Sequence, residues 1–128
     1  MDTLVEPVVR HENELTMLLS ALVGLRDGDS AVRLPMTWSG VPGKIADVFN
    51  QIAELNQRMT HELVRLSQSV GKEGRLTQRG AVAEARGSWS RSIDAVNELI
   101  GDLVHPITET LRVIGAVAQG DLDRKSVV

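Results

Sequence analysis

Three stretches of the chain carry apolar residues at steps of three and four, the spacing that places them on one stripe of an α-helix. The first includes Val8, Leu15, Leu18, Leu22 and Leu25; it starts at Pro7, a residue suited to the first helical position, and stops near Asp27-Gly28. The second starts near Pro42 and reads Ile45, Val48, Ile52, Leu55, Met59, Leu63, Leu66 and Val70. The third starts near Trp89 or Ser90 and reads Ile93, Val96, Ile100, Leu103, Ile107, Leu111, Ile114 and Ala118. Both long ladders step 3, 4, 3, 4, 4, 3, 4. The doubled four falls between Met59 and Leu63 and between Ile107 and Leu111. Such a stutter locally unwinds a coiled coil built on heptads.

The pattern also repeats at longer range. Gly28, Gly74 and Gly120 are 46 residues apart, Asp47-Val-Phe-Asn50 is echoed by Asp94-Ala-Val-Asn97 at 47, and the apolar ladders superpose at 48. The unit is helix, connector, helix, and the second helix of one unit runs on as the first of the next. The first connector, 29–40, contains Pro35 and reads as extended. A helix from Pro42 to Val70 is about 43 Å long at ~1.5 Å per residue, and a stripe of eight apolar residues along it is more than one chain can cover. Consecutive helices joined by such connectors lie parallel, and a second copy completes a four-helix bundle.

These features resemble concatenated HAMP domains. The segments Gly28-Asp-Ser-Ala-Val-Arg-Leu-Pro35, Gly43-Lys-Ile-Ala-Asp47, Val70-Gly-Lys-Glu-Gly-Arg-Leu-Thr-Gln78 and Val113-Ile-Gly-Ala-Val-Ala-Gln-Gly-Asp121 are similar to the HAMP array of hybrid sensor histidine kinases of the osmosensing type. The resemblance covers residues 13–125 and departs at Ser30, where a large apolar residue is usual. It implies an all-α fold: a parallel homodimeric four-helix coiled coil of stacked units with extended connectors. An N-terminal segment 1–7 precedes a first unit at 8–57 and a second at 58–105. The first helix and truncated connector of a third occupy 106–128. It further implies that Gly28, Gly74 and Gly120 are connector turns, that Val32, Leu34, Leu76 and Val82 are connector anchors, and that Pro106 marks a junction between units. The bundle seam is then Leu15, Leu18, Leu22, Leu25, Ile45, Val48, Ile52, Leu55, Met59, Leu63, Leu66, Ile93, Val96, Ile100, Leu103, Ile107, Leu111 and Ile114. The implied function is relay of a conformational signal along the dimer, as part of a two-component system. The alternatives are a passive dimerisation rod and a truncated fragment of a kinase gene.

Composition narrows the chemistry. The 128 residues carry a net charge of −3, no cysteine, and only Trp38, Trp89 and Phe49 as aromatics. Thiol catalysis, disulfides and thiolate metal sites are thereby excluded. With no basic footprint and few aromatics, nucleic acid is not an expected partner. The longest apolar run, Leu18 to Leu25, is eight residues and includes Ser20 and Gly24, and the first residues are acidic where a signal peptide is basic, so a cytoplasmic location is expected. Thr60-His61-Glu62-Leu63 has the His-Glu pair of a phosphoacceptor helix, but Leu66 stands where that pattern has proline and no nucleotide-binding segment follows. His11 falls on the seam, where a histidine can respond to pH. His105-Pro106 lies inside the third helix. No catalytic residue, cofactor, metal or small-molecule ligand is expected, and the expected partners are a second copy and a kinase or receptor output domain in the same polypeptide.

Overall fold

The computed structural model describes residues 2–127, with side-chain surroundings for 7–119. Among them are three α-helices and no strand: α1 (Asp2–Arg26), α2 (Gly40–Leu66) and α3 (Ser88–Val127), with a π-helical turn, Ser67–Lys72, continuing α2. The helical class and the number of helices agree with the apolar periodicity. No helix among the described residues is long and apolar enough to cross a membrane.

The helix starts lie upstream of the expected ones. Pro7 stands inside α1 rather than at its first position, so the 1–7 segment is helical from Asp2; a proline this near the start removes one backbone bond without ending the helix. Pro42 sits in the first turn of α2, and Pro106 lies well inside α3. Thr110 Oγ1 donates to the Pro106 carbonyl at 2.8 Å, one turn on.

The helix ends explain two of the three repeated glycines. Gly28 has φ +96°, its N–H reaches the Leu25 carbonyl at 3.1 Å, and the Asp29 N–H reaches Gly24 at 2.9 Å. Together these form a Schellman motif, for which a left-handed residue is required. Gly74 has φ +69° and does the same one residue wider: the Glu73 N–H bonds Gln68 at 3.0 Å and the Arg75 N–H bonds Ser69 at 2.9 Å. The π turn supplies the additional residue. The turn expected at Gly120 is absent, because α3 passes through Gly120 to Val127. A glycine permits a left-handed turn but does not impose one. At positions 28 and 74 a connector packs back onto a following helix.

The chain divides into two compact units, Met1–His61 and Glu62–Val128, with the boundary inside α2. In the first unit, the connector residue Leu34 inserts among Ala46, Phe49 and Ala53 of α2, and Leu18, Ala21, Leu25, Val32 and Trp38 close around them. Alanines at 46 and 53 let the helices approach closely enough for one leucine and one phenylalanine to fill the space. Among the described residues of the second unit, Leu66, Ser69, Gly80, Ile93 and Ile100 are buried.

Candidate functional site: clasped connectors and an open helix face

Each connector is held by one asparagine. Asn50 Oδ1 accepts from the Leu34 N–H at 2.7 Å, and its Nδ2 donates to the Leu34 carbonyl at 3.0 Å. Asn97 repeats the arrangement on Gly80, at 2.6 Å to the N–H and 2.9 Å to the carbonyl. One carboxamide thus satisfies both backbone groups of one connector residue, as a neighbouring strand would. These asparagines end the Asp-x-x-Asn segments that echo each other in the sequence. The echo was visible in the sequence; its role was not.

Arginines repeat as well. Arg33 Nη1 donates to the Ser30 and Val32 carbonyls, each at 2.7 Å, and Nη2 to Gln57 Oε1 at 3.0 Å. Arg79 Nη1 donates to the Leu76 carbonyl at 3.1 Å and the Gln78 carbonyl at 2.7 Å. From the turn glycine to the clasped residue the connectors match in length: Gly28 to Leu34 and Gly74 to Gly80 both span six positions. From the clasped residue to the next helix they differ, six positions from Leu34 to Gly40 and eight from Gly80 to Ser88.

At the clasp the units differ in chemistry. Leu34 of the first connector is a core residue, whereas its counterpart Gly80 has no side chain, and a Cβ built there would lie 2.7 Å from Leu66 Cδ1. Leucine on the connector with Ala21 on the preceding helix is exchanged for glycine on the connector with Leu66 on the preceding helix. The second connector also receives polar contacts from α2. Glu62 Oε2 accepts from the Ala81 N–H at 2.7 Å and Glu62 Oε1 from Arg65 Nε at 2.5 Å. Arg65 then donates to Gln78 Oε1 and the Arg79 carbonyl, both at 3.0 Å. The bond from Arg65 lowers the Glu62 pKa below its ordinary 4.5, the Ala81 N–H adds to this, and partial desolvation opposes it.

The expected anchors and seam residues separate into three groups. Leu34, Met59, Leu66, Ile93 and Ile100 are buried. Val32, Leu76, Val82, Leu18, Leu25, Leu55 and Val96 are half-buried. Leu15, Leu22, Ile45, Val48, Ile52, Leu63, Leu103, Ile107, Leu111 and Ile114 are exposed. In the first unit four of the exposed residues, Leu22, Ile45, Val48 and Ile52, line an open apolar groove of about 440 Å³ between α1 and α2, together with Leu18, Val41, Lys44 and Phe49. Ile45, Val48 and Ile52 are 40%, 53% and 44% exposed there. The inward set Ala46, Phe49, Ala53 is one residue further along α2, about 100° round the helix.

His61 and His105 are exposed. His11, itself mostly exposed, places Nδ1 3.4 Å from the largely buried Glu14 carboxylate. No group of three or more metal-ligating side chains gathers among the described residues. No protein-family model matches the chain, and no solved structure matches it.

Proposed function

We propose that the chain is a relay module of a two-component signalling protein: a parallel homodimer of stacked HAMP-like units that passes a conformational change along its helices to an output domain. The observation that carries this reading is the apolar groove of the first unit. Leu22, Ile45, Val48 and Ile52 stand exposed on two helices around a core that is already filled, and a contiguous apolar face of that kind calls for a protein partner. A second copy supplies two more helices with the same faces and gives a four-helix bundle. The connectors add support. Both are clasped by the same carboxamide device, so the helix, connector, helix unit is repeated in its hydrogen bonding as well as in its sequence. A passive rod remains the second reading, because α2 stays α-helical through the stutter at Met59 to Leu63.

Dimerisation is tested by disulfide trapping, since the chain has no native cysteine. Ile52→Cys is expected to cross-link between protomers and the exposed Glu54→Cys to do so far less; equal trapping at both, or a folded monomer by sedimentation at micromolar concentration, refutes the arrangement. Relay is tested by inserting the chain in place of the HAMP unit between a receptor and a histidine kinase. Kinase output that follows the stimulus supports relay, whereas dimeric chimaeras with output fixed at one level establish the rod.

A further inference from the structure

We propose that the two connectors are unequal by design: the first is fixed, and the second is a releasable strap that Glu62 and Arg65 latch to the end of α2. The first connector drives Leu34 into a core of Ala46, Phe49 and Ala53, so it cannot leave without opening that core. The second presents Gly80 at the same place and has no comparable side chain to withdraw; Leu76 and Val82 are only half-buried. Beyond the Asn97 clasp, one turn of helix holds it through polar contacts. Glu62 takes the Ala81 N–H, and Arg65 takes Gln78 and the Arg79 carbonyl while paired to Glu62. The strap also carries strain at its far end. Glu84, a residue with a side chain, has φ +65°, and Gly87 has φ +55°. Strain beyond the latch favours release and the latch opposes it, and a balance of that kind is what a two-state relay element requires. The significance of release rests on the relay reading, but the latch is a property of the chain alone.

Trypsin provides a matched test, because equivalent bonds, Arg33–Leu34 and Arg79–Gly80, lie in the two connectors. On the full chain, Glu62→Ala is expected to accelerate cleavage at Arg79–Gly80 about ten- to hundredfold, the equivalent of one charge-assisted hydrogen bond, and to leave Arg33–Leu34 within about twofold. Arg65→Lys keeps a charge but cannot hold Glu62, Gln78 and the Arg79 carbonyl together, and is expected to act in the same direction if Glu62→Ala unfolds the chain. Equal acceleration at both bonds in both variants, or at neither, overturns the latch. Ile52→Cys trapping on the same variants reads dimerisation separately, so loss of the latch and loss of the dimer are told apart.

Discussion

The exchange of leucine for glycine between the connectors makes a quantitative prediction. Gly80 is buried and its backbone is not left-handed, so the cost of a larger residue there is steric alone. The first added carbon falls 2.7 Å from Leu66 Cδ1, and Leu66 is 3% exposed with little room to retreat. Gly80→Leu is therefore expected to destabilise by about 1 to 3 kcal/mol through overpacking. Leu66→Ala removes buried carbons and is expected to cost about 2 to 5 kcal/mol. Combined, the substitutions approach the arrangement of the first unit, where Leu34 is clasped by Asn50 and Ala21 is among the residues packed against its core. The double variant is thus expected to be more stable than Leu66→Ala alone, with a coupling of about 2 to 4 kcal/mol. Urea melts at one fixed protomer concentration measure it, since the midpoint of an associating chain depends on concentration. In thermal melts each kcal/mol appears as roughly 3 to 5 °C. Additive single and double variants would refute the exchange and show that Leu66 does not occupy the volume that Leu34 fills in the other unit.

Four further outcomes are expected. Asn50→Ala and Asn97→Ala each strand a connector N–H and carbonyl and should destabilise by about 1 to 3 kcal/mol in urea melts, with Asn→Asp at either position retaining only the acceptor half. Gly43→Ala places a Cβ 2.5 Å from the Trp38 carbonyl oxygen, a backbone atom, and should cost about 1 to 3 kcal/mol in the same assay, although Gly43 has no left-handed φ. Because the Glu62 pKa is lowered on folding, its contribution is present above about pH 4.5 and is lost as the pH falls through the lower folded value; Glu62→Gln should flatten that acid limb of the stability curve. Ile52→Glu should abolish association in sedimentation experiments while Leu99→Glu weakens it less, because Ile52 lines the apolar groove of the first unit and Leu99 does not.

The helices were legible because each carries a ladder long enough to fix its period, and the turns at Gly28 and Gly74 because glycine is the residue a left-handed helix end selects. Gly120 shows the limit of that signal: glycine permits a left-handed helix end without imposing one, and α3 continues through it. The Asp-x-x-Asn echo was visible without its meaning, since a side-chain amide that binds a backbone sixteen or seventeen residues upstream leaves no local signature. The exchange between Leu34 and Gly80 was not legible at all. Volume compensation joins residues on different elements, Leu66 and Gly80 in one unit and Ala21 and Leu34 in the other, and no spacing rule ties them. The Glu62–Arg65 pair reads in sequence as an ordinary exposed i, i+3 pair on a helix. Its importance lies in the connector atoms it reaches.

The three repeat lengths, 46, 47 and 48, now have separate physical origins. Helix ends and the turn-to-clasp stretch repeat at 46: Arg26 and Lys72, Gly28 and Gly74, Leu34 and Gly80. Helix starts repeat at 48, Gly40 and Ser88, because the second connector has two more residues after its clasp. The apolar ladder follows the helix starts. The inward face follows neither: Ala46, Phe49, Asn50 and Ala53 correspond at 47 to Ile93, Val96, Asn97 and Ile100, so the packed face keeps step with the asparagine. A ladder at 48 and a packed face at 47 cannot coincide in both units. In the second unit they coincide, and Ile93 and Ile100 are buried within the chain. In the first unit alanines take the inward positions, and the ladder residues Ile45, Val48 and Ile52 are turned about 100° away into the open groove. One residue of offset thus separates an apolar stripe buried within the chain from one left exposed in the groove.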